Sequence, residues 1–508
     1  MLLCYYPSDM DYTTIINNQT IPVSQIPESS YGAFSELNTG FVTDSSEKHC
    51  VNYFGYPVSG KIKLICCIAD DPNHVIYVSS CLVETTDKLP SMAAGIFCFE
   101  KFEREIHENF GIDFTGHPWL KPVRYSHDRS DVRQTIANYP FYSIDSEELH
   151  EVGVGPIHAG VIEPGHFRFI CNGEQILHLE IQLGYQHRGI ESLFLQKRKL
   201  SERVTVAESI TGDNVVGHTL AFASVWESLC GFKVPVEIEF SRTVALELER
   251  IAVHTGDLSA ACADVAYQLG SAVFGRLRTP IINFLQEWGG NRLAKGLIRP
   301  GRNQFPFTTA LAQRLTEVLN AFEPDFNEMN GELFKMPSAL SRFERTGTLS
   351  YENALSVGTV GMTARASGLN RDIRTSHPFS LYGELAHEPV IKHHGDVSSR
   401  LHVRKEEVRQ SIKYLHGLMA RVPDSESKPM PFGSPLPDSF TLSLVEGWRG
   451  EICHCAITDA HGDLLIYKVK DPSFHNWLAL ALAVRNNEIS DFPICNKSFN
   501  LSYCGHDL

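Results

Sequence analysis

No stretch of this chain is long and apolar enough to cross a bilayer: the most hydrophobic runs, such as Leu478 to Val484, fall far short of the ~20 residues that a spanning helix requires. No direct membrane span is expected, so any membrane association has to come through partners. Basic residues are also scarce, with 45 Lys and Arg against 60 Asp and Glu and a formal charge of −15. A surface that displaces counterions from phosphates needs the opposite balance, which argues against nucleic acid as a partner. The opening MLLCYYPSDMDYTT lacks a basic region followed by an apolar core and a small-residue cleavage site, so no secretory signal is expected. The 13 cysteines are odd in number and show no spacing of a disulfide frame, which points to reduced thiols in the cytoplasm. There is no internal repeat. What remains is ordinary globular material, 43% hydrophobic and 21% charged. At 508 residues it exceeds one compact core at roughly 150 residues per domain.

The first part alternates strand and helix patterns. LICCIAD (Leu64 to Asp70) and VIYVSSCLV (Val75 to Val83), joined by Asp71-Pro72-Asn73, read as a hairpin. After Pro90, Met92, Ile96, Phe99, Phe102, Ile106 and Phe110 recur at helical spacing among charged residues, predicting one amphipathic helix that stops at Gly111. GIDFTGHPWLKPVRY then reads as loop and extended chain, and the polar stretches Ser126 to Arg133 and Ser146 to Glu151 as a linker. This gives an α/β unit over residues 1–145 and a second domain over 152–508. The second is mainly helical. Val244, Leu248, Ile251 and Thr255 mark one helix face, Val408, Ile412, Leu415 and Met419 another, and further helices are expected between Ala260 and Phe322. The Pro- and Ser-rich Val422 to Ser439 reads as a long loop. The expected class is α+β.

Several segments carry chemistry. In GPIHAGVIEPGHFRFICNGEQILHLEIQLGYQHRGIE (Gly155 to Glu191), glycines around His158, Glu163 and His166 permit tight turns that could bring a carboxylate and two imidazoles together for proton transfer. The plainer reading is loop or core histidines and a capping glutamate. Arg365, Arg371 and Arg374 in GMTARASGLNRDIR stand among small residues, which suits either close approach to a cofactor or neighbouring subunit, or a salt-bridged packing loop. EGWRGE (Glu446 to Glu451) flanks Trp448 and Arg449 with glycines, as a strand held against another backbone would. Cys453 and Cys455 should share one face of a strand, while the thiols of Cys66 and Cys67 should point to opposite faces. Cys504 with His506 reads more simply as an ordinary thiol than as a metal or nucleophile pair, and His393-His394 as solvated surface.

Taken in order, Gly155 to Glu191, LELERIAVHTGDLS (Leu246 to Ser259), Gly361 to Arg374, GDVSSRLHVRKEEVRQSI (Gly395 to Ile412) and EGWRGE resemble the large subunit of group 4 energy-converting NiFe hydrogenases of the formate hydrogenlyase type. That family is related to the 49 kDa subunit of respiratory complex I. FEREIHENFGIDFTGHPWL (Phe102 to Leu120) resembles the complex I 30 kDa subunit, which is fused ahead of the large subunit in several of these enzymes. The resemblance implies a 30 kDa-like α/β domain followed by a mainly helical large-subunit-like domain with small β elements. It implies that Glu163 relays protons, with His166 a candidate beside it, and that the loop carrying Arg365 approaches the active-site cavity. It places EGWRGE near the interface with a small iron-sulfur subunit.

The family's metal ligands are missing. A NiFe centre is held by two Cys-x-x-Cys pairs, because soft thiolates bind nickel and bridge to iron. Counting back from His218 puts the first pair at Thr211 and Asn214; near the end of the sequence the second falls at Ser502 and Gly505, with Cys504 one residue out of register. No NiFe centre is expected, and no directly bound cofactor. The complex I hallmark, a tyrosine and a histidine on a quinone headgroup, falls at Thr211 to Asp213 and near Pro164, where neither occurs; whether the cavity takes a quinone stays open. The expected function is that of a subunit of a membrane-associated, hydrogenase-like or NADH dehydrogenase-like oxidoreductase complex coupling electron transfer to proton or ion translocation. Its expected partners are a small subunit carrying a 4Fe-4S cluster, a ferredoxin-like subunit and antiporter-like membrane subunits, on the inner face of the cell membrane. The alternatives are a non-catalytic scaffold and an NADH-quinone oxidoreductase C/D-like protein that binds quinone.

Overall fold

The computed structural model describes residues 11–158, 162–423 and 433–508. The N-terminal unit is built on a sheet of β1 (Thr13–Ile15), β3 (Glu28–Ser29), β4 (Lys48–Val58), β5 (Lys61–Asp70) and β6 (Val75–Val83), in the order β1-β6-β5-β4 with β3 parallel against β6. The expected hairpin is β5–β6, antiparallel with Leu64 opposite Cys81. β5 carries apolar residues at nearly every position because it is covered on both sides. Cys66 faces a cluster with Phe34, Phe99 and Phe102, where the helices Tyr31–Asp44 and Glu100–Phe110 pack. Cys67 faces the opposite cluster, shared with the helical body.

The amphipathic helix is shorter than its periodicity predicts. Residues Met92–Ala94 and Phe97–Phe99 form separate 3-10 turns, broken where Ile96 is extended, and the α-helix runs only over Glu100–Phe110. The Glu103 carboxylate explains the break, because it accepts from the backbone N–H of Met92 at 2.7 Å and so holds that segment back on the helix it would otherwise continue. Gly111 ends the helix with φ 76°, as expected of an αL stop. Beyond it, β8 (Asp113–Thr115) pairs in parallel with β7 (Lys88–Pro90).

The second unit begins with a small sheet, β9 (His150–Val154), β10 (His166–Asn172) and β11 (Gln175–Gln182), so the end of the expected linker is strand. Its body is helical: Val215–Leu229, Val236–Asp264, Gln268–Gly289, Thr309–Leu333 and Val397–Met419 are the longest elements. The faces read from Val244, Leu248, Ile251, Val408, Ile412 and Leu415 all enter one core. A short hairpin, β12 (Ile298–Arg299) with β13 (Arg302–Asn303), decorates it. A final sheet of β14 (Ser439–Glu446), β15 (Glu451–Thr458) and β16 (Leu464–Lys470) closes the fold, with Cys453 and Cys455 on one face and their sulfurs 3.6 Å apart. Its fourth strand is β2 (Thr20–Pro22), which leaves the N-terminal unit so that Ile21 sits opposite Phe440. The Pro- and Ser-rich segment over 424–432 lies outside the described residues. Among the described residues no helix is long and apolar enough to cross a membrane.

EGWRGE is the turn between β14 and β15, and the close approach inferred from its glycines is real. Gly361 has φ 64°, and a Cβ there would lie 2.1 Å from Gly450 Cα. Substituting Gly361 by Ala should cost about 3 kcal/mol or more through left-handed backbone strain and backbone overlap. Thermal unfolding of the purified chain should show a correspondingly lowered midpoint.

Candidate functional site

Sites from the two ends of the second domain converge. Thr211 and Asn214 precede the helix Val215–Leu229, and Ser502 and Gly505 belong to the terminal turn Tyr503–Asp507 and its cap. A Cβ on Gly505 would lie 2.8 Å from the Thr211 methyl and 2.7 Å from Asp471 Cγ, so the space a thiolate would need is taken by a carboxylate and a methyl group. Asn214 is fully buried, its amide wedged against Gly217 and Gly447. Ser502 Oγ accepts from Gly505 N at 2.9 Å and caps the terminal turn. The donor set does not fit a NiFe centre. Among the described residues no group of three or more His, Cys, Asp or Glu is placed to hold a metal.

Glu163 stands at a cavity of about 490 Å³ lined also by Tyr185, Arg188, Thr211, Lys295 and Cys504. Burial first, and then the Glu163 carboxylate, push the Cys504 thiol up to about 12, so it is a neutral thiol and no nucleophile. Arg188 staples the cavity wall by donating to the carbonyls of Ile210 and Cys504 at 2.9 and 3.1 Å. The structure does not bring the two imidazoles to this place. His158 Nε2 is 2.9 Å from Gly165 O, and His166 Nδ1 is 3.1 Å from Gly155 O with its ring edge-on to Phe141. Both side chains tie the β9–β10 loop together. His506 also turns away from Cys504, toward Lys101 and Asp507, so these two residues form no pair.

Behind Gly505 runs a buried chain that sequence reasoning did not find. Asp471 Oδ2 is 3.0 Å from His218 Nε2, His218 Nδ1 is 3.1 Å from His454 Nε2, and His454 Nδ1 is 2.9 Å from Tyr467 OH. Every bond of this chain can donate toward Asp471, whose carboxyl is held below its usual range by His218 and Arg449 against the opposing effect of burial. No spacing along the chain links His218, on the helix Val215–Leu229, to His454 on a distant strand.

The arginines read from sequence are buried in one network. Arg365 donates to Glu446 at 2.7 Å and Glu407 at 2.6 Å, and Arg374 to Asp372 at 2.7 Å and Glu407 at 2.9 Å. Glu407 also lies 2.7 Å from His254 Nε2. Arg371 instead donates to Thr359 O at 2.8 Å. Arg365 does not line the cavity; its loop reaches the cavity wall indirectly, through the turn it braces. In that turn Arg449 pairs with Asp213 at 2.8 Å, Trp448 Nε1 donates to Asp213 O at 2.7 Å, and the guanidinium stacks 4.0 Å above the indole. The loop 211–214 is thus pinned from behind.

The profile described as respiratory-chain NADH dehydrogenase, 49 Kd subunit matches residues 268–432, and that of the 30 Kd subunit matches residues 36–132. Formate hydrogenlyase subunit 5 of Escherichia coli (strain K12) is 28% identical, over 79% of this chain and 74% of that protein. The C/D-type NADH-quinone oxidoreductase chain of Phocaeicola vulgatus is 28% identical, over 75% of this chain and 79% of its own length. A chain of the membrane-bound sulfane sulfur reductase, an archaeal respiratory membrane complex, shares the fold with TM-score 0.66 at 20% identity, covering 72% of this chain and 100% of that one. Fold and family profiles together define a subunit of the hydrogenase and complex I class. Within that class, the chain belongs to the family in which complex I 30 kDa- and 49 kDa-type domains are fused, together with the large subunits of membrane-bound hydrogenases.

Arg365→Ala leaves Glu407 and Glu446 short of a buried partner and should destabilise the chain by about 3–5 kcal/mol, read from denaturant unfolding. His254 is held neutral by burial at about 4, its Nδ1 accepting from Arg404 at 3.0 Å while Nε2–H donates to Glu407. Its folded value lies below its unfolded one, so the unfolded chain takes up the proton first and stability falls as pH drops from ~6.5 toward 4. His254→Gln should flatten the acid limb of a midpoint-against-pH curve over that window.

Proposed function

We propose that this chain is a peripheral subunit of a membrane-associated, hydrogenase-like oxidoreductase complex, in which Glu163 exchanges protons with the cavity while electrons pass through a partner's 4Fe-4S cluster. The observation that carries the reading is the position of Glu163: its carboxylate shares a cavity with Thr211 and Cys504, beside the contact between Thr211 and Gly505. The related proteins are named as subunits of formate hydrogenlyase and NADH-quinone oxidoreductase, and the structural neighbour belongs to a respiratory membrane complex. An iron-sulfur small subunit, a ferredoxin-like subunit and antiporter-like membrane subunits complete the proposed assembly, on the cytoplasmic face of the membrane. Neither His166 nor Arg365 touches the cavity, and their proposed roles are to hold the β9–β10 loop and to brace the turn behind the wall.

A scaffold without redox-linked chemistry is the second reading, favoured by the carboxylate and methyl group that fill the ligand space at Gly505. Two measurements separate the readings. Metal analysis of the anaerobically purified complex should give iron from the partner cluster and essentially no nickel per copy of this chain; nickel near one per copy would overturn the proposal. Glu163→Gln in the assembled complex should lower redox-linked proton uptake by about 100-fold, the scale of a lost proton-transfer group. Unchanged uptake would leave the scaffold.

A further inference from the structure

Where the two domains meet, three titratable side chains from opposite ends of the sequence stand in file. Lys101, on the N-terminal helix Glu100–Phe110, donates to Phe474 O at 2.6 Å and lies 3.4 Å from His506 Nε2. His506 Nδ1 is 2.9 Å from Asp507 Oδ1. Asp507 in turn is anchored by the backbone N–H groups of Gly184 at 2.8 Å and Gln186 at 2.9 Å. One end of the file meets a cavity, and the other is buried close to a second. Lys101 and His506 line a partly open cleft of about 180 Å³ between the domains, large enough for several waters. At the other end, Asp507 belongs to the same short terminal turn as Cys504, which Glu163 faces, and feels the charge of Glu163.

We propose that Lys101, His506 and Asp507 carry protons between the cleft at the domain interface and Glu163 at the cavity, along a route that neither domain contains alone. The proposal rests on the reading of Glu163 as the group that exchanges protons with the cavity. The hydrogen bonds fix the chemistry. An ammonium can only donate, so Nε2 of a neutral His506 accepts from Lys101 while its Nδ1–H donates to the Asp507 carboxylate. Transfer breaks one N–H bond at Lys101 and forms one at His506 Nε2, and breaks the Nδ1–H bond as an O–H bond forms on Asp507. The neutral amine is then reprotonated from water in the cleft, His506 recovers its Nδ1–H by ring rotation and proton exchange with that water, and Asp507 passes its proton on to Glu163 through water that enters between them.

The end groups are matched in proton affinity. Burial, with Arg104 and Arg124 adding to it against Glu100 and Asp507, brings Lys101 down to about 7. Burial and the Glu163 charge bring Asp507 up to about 7 despite its two backbone donors and Arg124. His506 is held well below its usual range by burial and by Lys101, Arg124 and Arg104, so it passes a proton without keeping it.

The test uses the complete complex in inverted membrane vesicles, with reduced methyl viologen as electron donor and proton uptake followed across pH. Lys101→Arg keeps the positive charge and the hydrogen bonds but cannot release a proton near neutrality, so it should lower uptake by about 100-fold while the complex stays assembled. His506→Gln should do the same, with partial rescue by added imidazole. Pulse acetylation read by mass spectrometry should give a midpoint for Lys101 near 7 in the wild-type complex. A midpoint near the ordinary ~10.4 of lysine, or wild-type uptake by Lys101→Arg, overturns the route. Loss in Glu163→Gln but not in Lys101→Arg would retain Glu163 and discard the route. Loss in Lys101→Arg but not in Glu163→Gln would discard the link to Glu163, and no uptake by the wild type would discard both.

Discussion

The fold of the large domain turns on one buried carboxylate. Glu407, on the helix Val397–Met419, accepts from Arg365 and Arg374, on two short helices, and meets His254 from the helix Val236–Asp264, so four elements are joined at one point. Three guanidiniums, Arg250, Arg365 and Arg374, face four carboxyls, Glu247, Asp372, Glu407 and Glu446. One carboxyl is therefore in excess. Glu446 absorbs it, pushed up to about 7 by burial and by Asp372, whereas Glu407 and Asp372 stay well below their usual range. Charges taken out of water persist only when each is matched, and this matching fixes which helix sits beside which.

The same network holds the cavity in shape without entering it. Glu446 begins the turn whose Trp448 and Arg449 grip Asp213, and Asp213 stands between Thr211 and Asn214. At the centre of this frame stand a methyl, an amide, a hydroxyl and a glycine beside a carboxylate.

Much of this was legible along the chain. The β5–β6 hairpin, the apolar faces of the two long helices, the Gly111 stop and the opposite environments of Cys66 and Cys67 follow from period and turn chemistry, which act over a few residues. The glycines of EGWRGE announced a close approach, and Gly361 supplies the other side of it. The helix from Met92 came out broken, because Glu103 ties the Met92 segment back against the helix Glu100–Phe110 instead of leaving it in line with it. The strand Thr20–Pro22 joins a sheet of the other domain, a pairing that no local signal could give.

By itself the sequence determined the class and the two fused domains, since both depend on residue type and order. Tertiary structure alone decided which groups meet. It kept Glu163 at the cavity and tied His158 and His166 into a loop by carbonyl contacts. It buried Arg365 behind the wall and set Lys101 beside His506 across a domain boundary. Proton affinity and proton transfer depend on distances of a few ångströms and on exclusion of water, and both quantities exist only after distant segments have packed.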